Sequence, residues 1–539
     1  MRLRLAVVTP PAPGAIATAL LERLARDPRL DVVLVVDDSA PAHPAARTLD
    51  PDRHGLADTI AQRLFDLAHE PREEDDAASV ARRTDVALHH VGAVDRDLTV
   101  DALRALHPQL LVVVGSATPP AELLNEPAHG TLAVGGALAA VGGALAFAVG
   151  LHRLEADGMC QPALAATLIA IEAGETRASL RIKAELAGAE LCHEVLRRIA
   201  GDVRGGRPRI ARREPGVTAT DAPAPLEVAL DRLKPVLVHR ARVMDSVWPR
   251  RSWAVKLRLA AQYASVLPLL QHTRARLVRE RRAPVSIFFY HLVANRPLNH
   301  MCLPLEAFAA QVAFLRRYFP VVSLDQAVER VASGKNDDVC AALTFDDGYR
   351  DNAWAIQYLS YLGVPASFFV SMGHVLDGSG FAHDHEKGFH GAPPMTETDV
   401  RKLTSEGFLV GSHALHHEDF GRIDEPTADR VLRESRELVA KVAGQAPEHF
   451  SFPRGQRGAN ITPAAYRLAT KYYRYVYSAY GGYNLPSPER RHFVRLGTPV
   501  DVLELAMTMD GYRGLRDCLR GDAWGVRTSE LPPYMESAA

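Results

Sequence analysis

The sequence predicts an α/β chain of more than one domain, with a (β/α) barrel in its C-terminal half. Three observations carry this. At 539 residues the chain exceeds one ordinary domain and suggests two to four. Strand-like apolar runs alternate with helical patterns from residue 285 onward, and side chains with reactive chemistry recur directly after those runs.

Taken in order, "LRLAVVT", a helix from about Ala15 to Asp27, and "DVVLVVD" open the chain. Two strands separated by one short helix imply a parallel crossover. Another strand, "LLVVVG", follows near residue 110, and "LRIKAELAGAELCHEVLRRIAGD" reads as the helix that closes this region. Residues 203–227, rich in Arg, Pro and Gly, have the composition of a connector. The expected organisation is a first domain over 1–215, a linker with a basic amphipathic helix over 216–283, a second domain over 284–525 and a tail over 526–539. The stretch 250–283 is apolar and helical with basic ends, and Pro268 interrupts it. An interdomain helix is expected there, with contact to an anionic membrane surface as the second reading.

The barrel reading rests on "VSIFFYHL", "AALTF", "PASFFVSM", "FLVGSHA", "HFSFP", "YVYSAY" and "HFVRL" as strands. Helices are expected around 305–317 and over 353–361, 397–406, 427–442 and 463–471. In such barrels the residues just after each strand converge at one mouth.

Composition narrows the function classes. Charged residues make up 24% and the formal net charge is -1, so nothing argues for a nucleic-acid partner. The five cysteines, at 160, 192, 302, 340 and 518, lack CxxC spacing and disfavour a disulfide framework or a thiolate metal site. The N-terminal apolar run is short for a secretory leader, and no eighteen-residue apolar stretch occurs. A cytoplasmic protein is expected, with peripheral contact at the inner membrane face as the second reading.

The chemistry concentrates in three segments. "LTFDDGYRDN" (343–352) sets Asp346 beside Asp347, where each carboxylate raises the cost of ionising the other. A cation that takes one and leaves the other free resolves that cost; two solvated acids at a turn are the alternative. "HALHHEDF" (413–420) supplies His413, His416 and His417 after another strand, and imidazole with carboxylate is a ligand set for a catalytic divalent ion. "FSFPRG" (450–455) is a strand end whose turn can present backbone N–H groups to an oxyanion.

In this order the segments resemble the polysaccharide deacetylases of the NodB-homology type, over about 285–520. The resemblance implies a distorted (β/α) barrel and metal-dependent amide hydrolysis. It implies Asp346 as general base, Asp347, His413 and His417 as metal ligands, and the Arg454 backbone N–H as oxyanion donor, with His416 outside the ligand set. Zinc is the expected metal, with cobalt and nickel as alternatives. Two departures stand out. Ser451 occupies the position of an arginine that orients the base in many members, and the late histidine that acts as general acid has no clear counterpart. His492 and His291 are candidates for that acid; His383, His385 and His390 belong to a loop that could line the mouth or lie in solvent.

The first region, from "LHPQLLVVVG" through "IAIEAGETRASL", resembles the Rossmann-like formyltransferase fold of folate-dependent enzymes. Ala133, Gly135 and Met159 stand where that family carries Asn, His and Asp, with Asp157 close to the last. The resemblance implies a pseudoenzyme domain used for binding, positioning or homodimerisation. The expected function is a metal-dependent N-deacetylase of an N-acetylated sugar, nucleotide-linked, lipid-linked or a small glycoside. A deformylase of a formamido sugar and a non-catalytic carbohydrate-binding protein are the alternatives.

Overall fold

The computed structural model describes residues 2–10, 12–37, 71–72, 76–91, 101, 104–105, 107–114, 124, 127, 129–141, 144–155, 160–161, 163–202, 218–219, 222–248, 251–456, 459–488 and 490–519. Asp157, Met159, most of the 203–227 connector and the 526–539 tail lie outside the described residues. The chain forms two compact units, residues 1–53 with 73–243, and 54–72 with 244–539.

In the first unit, β1 (Leu3–Thr9) lies between β2 (Leu30–Asp37) and β4 (Leu110–Val113), parallel to both. β3 (Leu88–Val91) extends the sheet beyond β2, and β5 (Thr131–Val141) extends it beyond β4. The crossover from β1 to β2 therefore has the parallel sense the sequence predicts. The sheet then turns antiparallel: β6 (Ala144–Leu154) pairs with β5, β7 (Ala165–Ala170) with β6, and the short β8 (Thr218–Ala219) and β9 (Ala224–Pro225) with β5. That antiparallel half departs from the expected Rossmann-like pattern.

The helix Arg177–Asp202 packs against β6 and the helix Ala15–Arg26. Its buried Lys183 is compensated by Glu172 at 2.8 Å and Glu175 at 2.7 Å. Gly135 has a packing explanation, since a Cβ there would meet Ala224 O at 2.7 Å and the His152 ring at 2.9 Å. Ala133 is buried opposite His152 in the β5–β6 register.

The second unit is built on parallel strands: β10 (Val285–Tyr290), β13 (Cys340–Phe345), β14 (Ser367–Val370), β15 (Leu409–Ser412), β16 (His449–Ser451), β17 (Tyr475–Ser478), β18 (His492–Val494) and β19 (Leu496–Gly497). A separate two-stranded pair, β11 (Leu292–Val293) with β12 (Cys302–Leu303), follows β10. The sheet order runs β18, β17, β16, β15, β14, β13, β10, β19. Its two ends are consecutive pieces of chain separated by Arg495, so the sheet nearly closes into a barrel. Because all pairings are parallel, the C-terminal ends of β13, β15 and β16 share one mouth.

The expected helices appear as Leu305–Tyr318, Ala353–Leu362, Glu397–Ser405, Glu425–Ala443 and Pro463–Tyr472. Their termini follow local chemistry: Asp424 caps the fourth through Thr427 N–H, and Gly363 ends the second in the left-handed region. The helices Leu324–Ala332, Met372–Asp377, Ala382–His385, Val502–Met509 and Tyr512–Leu519 add to the sequence reading.

The basic amphipathic segment is one helix, Trp253–Arg279, and it continues through Pro268. A mid-helix proline costs about 3 kcal/mol. Burial of Tyr263, Leu267, Leu270 and Leu277 offsets it, with Tyr263 hydrogen-bonded to Asp510 and Arg274 lying 3.4 Å from the same carboxylate. Among the described residues no helix is long and apolar enough to cross a membrane.

Strand alternation separates His492 from Arg495. Phe493 and Arg495 share one face of the strand, Phe493 within the core cluster of Ile287, Phe369 and Tyr477. His492 faces the other way, against the rings of Tyr466 and Tyr480. Neither of its ring nitrogens has a hydrogen-bond partner among the described residues, and burial lowers its pKa to about 3. The unfolded chain takes up this proton as pH falls through 6.5, whereas the native imidazole resists until about 3. Stability from this group is therefore complete above pH 6.5 and lost progressively down to pH 3, by up to roughly 4–5 kcal/mol. Urea titrations across that window should show a shallower loss for His492→Phe than for the wild type; identical slopes would contradict this placement.

Candidate metal centre and its paired carboxylates

The site is assembled where three parallel strands end. Asp346 and Asp347 follow β13 directly, and the chain turns sharply there, with Asp347 at φ 72° and Gly348 at φ 88°. A left-handed conformation is unfavourable for a residue with a Cβ, and such outliers cluster at functional sites. The turn is tied to its neighbours: Ser371 N–H donates to Asp347 O at 3.2 Å, and Asp346 N–H donates to Tyr290 O at 2.9 Å.

His413 follows β15. Its N–H donates to Val370 O at 3.0 Å, and its carbonyl accepts from Ser371 Oγ at 2.9 Å. The chain then makes a tight loop, with Ala414 and His417 also left-handed. Glu418 holds that loop by accepting from the N–H groups of Leu415 and His416, both at 3.0 Å.

Asp347, His413 and His417 are brought together, with one ligand atom of each within 4.8 Å of the others. Asp347 Oδ1 lies 3.4 Å from His413 Nε2 and 3.6 Å from His417 Nε2. Both carboxylate oxygens of Asp347 are buried without a hydrogen-bond partner among the described residues, an arrangement that costs several kcal/mol unless a cation compensates it. His413 Nδ1 lies 2.8 Å from Ser451 O, and a carbonyl can only accept. Nδ1 therefore carries the hydrogen, and the Nε2 lone pair is free for an ion. Burial lowers the His417 pKa to about 3, so this ring is neutral at pH 7, as a ligand must be. Two imidazoles and one carboxylate without a hydrogen-bond partner among the described residues fit a divalent ion such as zinc.

The neighbouring carboxylate is satisfied differently. Arg495 grips Asp346 through two parallel bonds, Nη1 to Oδ1 and Nη2 to Oδ2, both 2.7 Å. The same guanidinium donates to Ser451 Oγ at 2.7 Å and Thr344 Oγ1 at 3.1 Å, and lies over the rings of Phe289 and Phe369. Burial pushes the Asp346 carboxyl up, but the Arg495 guanidinium and His413 outweigh it and hold the group below its ordinary range. Asp346 is thus a carboxylate held ionised.

The remaining sequence candidates divide. His291, just after β10, senses both carboxylates, and burial lowers its pKa. His383 reaches the site, its Nε2 3.6 Å from Asp347 Oδ2. Arg454 turns the chain after β16 at φ 61°, with its exposed side chain 3.8 Å from Glu386. His416 points away to Asp377, at 2.9 Å. His385 and His390 face each other with ring centroids 4.8 Å apart. His492 is on the opposite face of its strand from Arg495 and is not brought to the site. Arg495 is the functional residue the sequence reading passed over. The rule that chemistry sits at strand ends points to it, since Arg495 closes "HFVR" whereas His492 opens it.

Residues 333–473 match the family model for polysaccharide deacetylase. The match lies within the second unit, contains Asp346, Asp347, His413 and His417, and ends before Arg495. YxkH of Bacillus subtilis (strain 168), whose name proposes polysaccharide deacetylation, is 23% identical over 196 residues, 36% of this chain and 64% of the relative. A chitooligosaccharide deacetylase of Rhizobium leguminosarum bv. trifolii is 30% identical over 138 residues, 25% of this chain and 53% of the relative. The chain therefore spans only part of the length of the curated relatives it matches. A solved Streptococcus pyogenes deacetylase aligns with 42% of this chain and 99% of its own at 16% identity, with a TM-score of 0.36, too low to carry an argument.

Removing Arg495 leaves a buried carboxylate uncompensated. Arg495→Met should destabilise the second unit by about 3–5 kcal/mol, whereas Arg495→Lys, which keeps the charge but not the fork, should cost less. Denaturant unfolding monitored through the second unit checks this, and a loss under about 1 kcal/mol for Arg495→Met would contradict the paired arrangement.

Proposed function

We propose that the second unit is a metal-dependent hydrolase that removes an N-acetyl group from an amino sugar. The observation that carries this reading is the separation of two adjacent carboxylates. Asp347 faces two imidazoles, and Asp346 faces an arginine. The family match over residues 333–473 supports the reaction class.

Asp347, His413 and His417 would hold the ion, zinc by their donor types, with cobalt or nickel as substitutes. When bound, such an ion supplies Lewis-acid polarisation of the amide carbonyl. The chain's own groups do the rest. Asp346, kept ionised by Arg495, accepts a proton from the attacking water as the carbon–oxygen bond forms. The Arg454 N–H, in a left-handed turn at the strand end, is the candidate donor to the developing oxyanion. The carbon–nitrogen bond then breaks, and the leaving amine needs a proton. His291, neutral because burial lowers its pKa, is the candidate to relay the proton that Asp346 accepted, because it lies with the two carboxylates while His492 does not. The products are acetate and a free amino sugar.

The substrate class we favour is a cytoplasmic one, a nucleotide-linked, lipid-linked or small glycoside. The first unit then serves binding or positioning, consistent with the absence of a titratable side chain at Ala133 and Gly135.

Purified protein supplied with zinc, cobalt or nickel should release acetate from N-acetylated amino sugars. Asp346→Asn should keep stoichiometric metal while turnover falls about 10²- to 10⁴-fold, since a proton acceptor is removed and no ligand is. Loss of metal in Asp346→Asn would mean that the two carboxylates have exchanged roles, and undiminished turnover would exclude Asp346 as the base.

A further inference from the structure

We propose that the exposed side of the helix Trp253–Arg279 docks on an anionic lipid surface, with the helix lying flat along it. The surface uses no part of the metal site, so it stands or falls apart from the hydrolase reading.

The helix is 27 residues long and carries Lys256, Arg258, Arg274, Arg276 and Arg279 but no Asp or Glu. Water-facing surfaces ordinarily intersperse both signs of charge. Here the acids that balance this segment belong to the protein on its buried side. Arg274 lies 3.4 Å from Asp510, whose carboxylate also accepts from the Tyr263 hydroxyl. Arg251, just before the helix, pairs with Asp501 at 3.2 Å and Glu504 at 2.8 Å. Tyr263, Leu267, Leu270 and Leu277 are buried on the same side as Asp510.

The other side presents positive charge and apolar surface together. Residues three and four apart lie on one face of a helix. Arg258, Ala261, Ser265, Leu269, His272 and Arg276 follow that spacing, and all are exposed. From Arg258 to Arg276 the stripe runs about 27 Å. Glu280, just past the helix end, is 3.9 Å from Arg276, and an exposed pair of this kind contributes little. Leu269 is 53% exposed, and Trp253, which opens the helix, is 71% exposed.

That combination selects the occupant. A bilayer with anionic headgroups takes the arginines at its surface and Leu269 and Trp253 at headgroup depth, where tryptophan is favoured. A nucleic acid takes the arginines through its phosphates but leaves both apolar side chains in water. The helix lies on the surface and does not span, because its opposite face is packed on the protein and it is not apolar enough to cross.

Co-sedimentation of the full chain with lipid vesicles at low ionic strength tests this. The wild type should sediment with vesicles of equal parts phosphatidylglycerol and phosphatidylcholine, and stay in solution with phosphatidylcholine alone. Each basic side chain brought to an anionic surface is worth about five-fold in affinity, so Arg258→Gln with Arg276→Gln should bind about 25-fold more weakly. Trp253→Ser with Leu269→Ser should bind about 10-fold more weakly. Arg430→Gln with Arg433→Gln, which removes the same charge from the exposed face of the helix Glu425–Ala443, should bind as the wild type does. All the altered side chains are exposed, so each variant should keep the wild-type unfolding midpoint, measured alongside. Failure of the wild type to sediment with the anionic vesicles, or equal sedimentation with the neutral ones, would overturn the proposal. Undiminished binding by Arg258→Gln with Arg276→Gln would overturn it too. Tighter binding to duplex RNA than to vesicles, lost in that arginine variant and kept in Trp253→Ser with Leu269→Ser, would assign the face to nucleic acid instead.

Discussion

Two carboxylates adjacent in the chain, both buried, cannot share one environment. Each would raise the pKa of the other, and an uncompensated buried charge costs several kcal/mol. The second unit resolves this by sending them to opposite partners. Arg495 neutralises Asp346 through two short bonds, and the imidazoles of His413, His417 and His383 surround Asp347. One carboxylate is complete in the protein, and the other is complete only with a cation. The near-closed barrel matters because it brings the end of β13 opposite Arg495, which lies between the two strand pieces that end the sheet.

That arrangement is built at a backbone cost. Among the described residues, the non-glycine positions with positive φ include Asp347, Ala414, His417 and Arg454, all at the strand ends that form the mouth. Each left-handed residue of this kind costs about 1–3 kcal/mol and persists only where its surroundings over-determine it. Glu418 closing the His413–His417 loop, and the hydrogen bonds among β13, β14 and β15 at their ends, provide that determination. Rigid strands thus position the ligands, and strain is confined to the turns.

Much of this was legible in the sequence because the strands of the barrel are short apolar runs with strong local patterns. The residues that follow them, Asp346, Asp347 and His413, inherit their position from the fold. Arg495 was harder to see. Its partner lies 149 residues away, and its own segment contains a histidine that draws attention first. Only the two-residue alternation of the strand distinguishes them, placing Arg495 inward and His492 outward. His383 was harder still, since a polar loop has no periodicity to fix where its side chains go. In the first unit the parallel opening follows from the spacing of strand and helix. The antiparallel β5–β6 pair does not, because small apolar residues such as those of "AVGGALAAVGGALAF" carry little directional pattern.

The division of the two carboxylates is tested most directly by locating the ion. Crystals of the full chain soaked with zinc, with anomalous difference maps at the zinc edge, would place it without reference to turnover. The account predicts one peak at the mouth, about 2.0–2.2 Å from Asp347 Oδ1, His413 Nε2 and His417 Nε2, with Asp346 still held by Arg495. A peak ligated by Asp346, or a mouth that stays empty at saturating zinc, would contradict it.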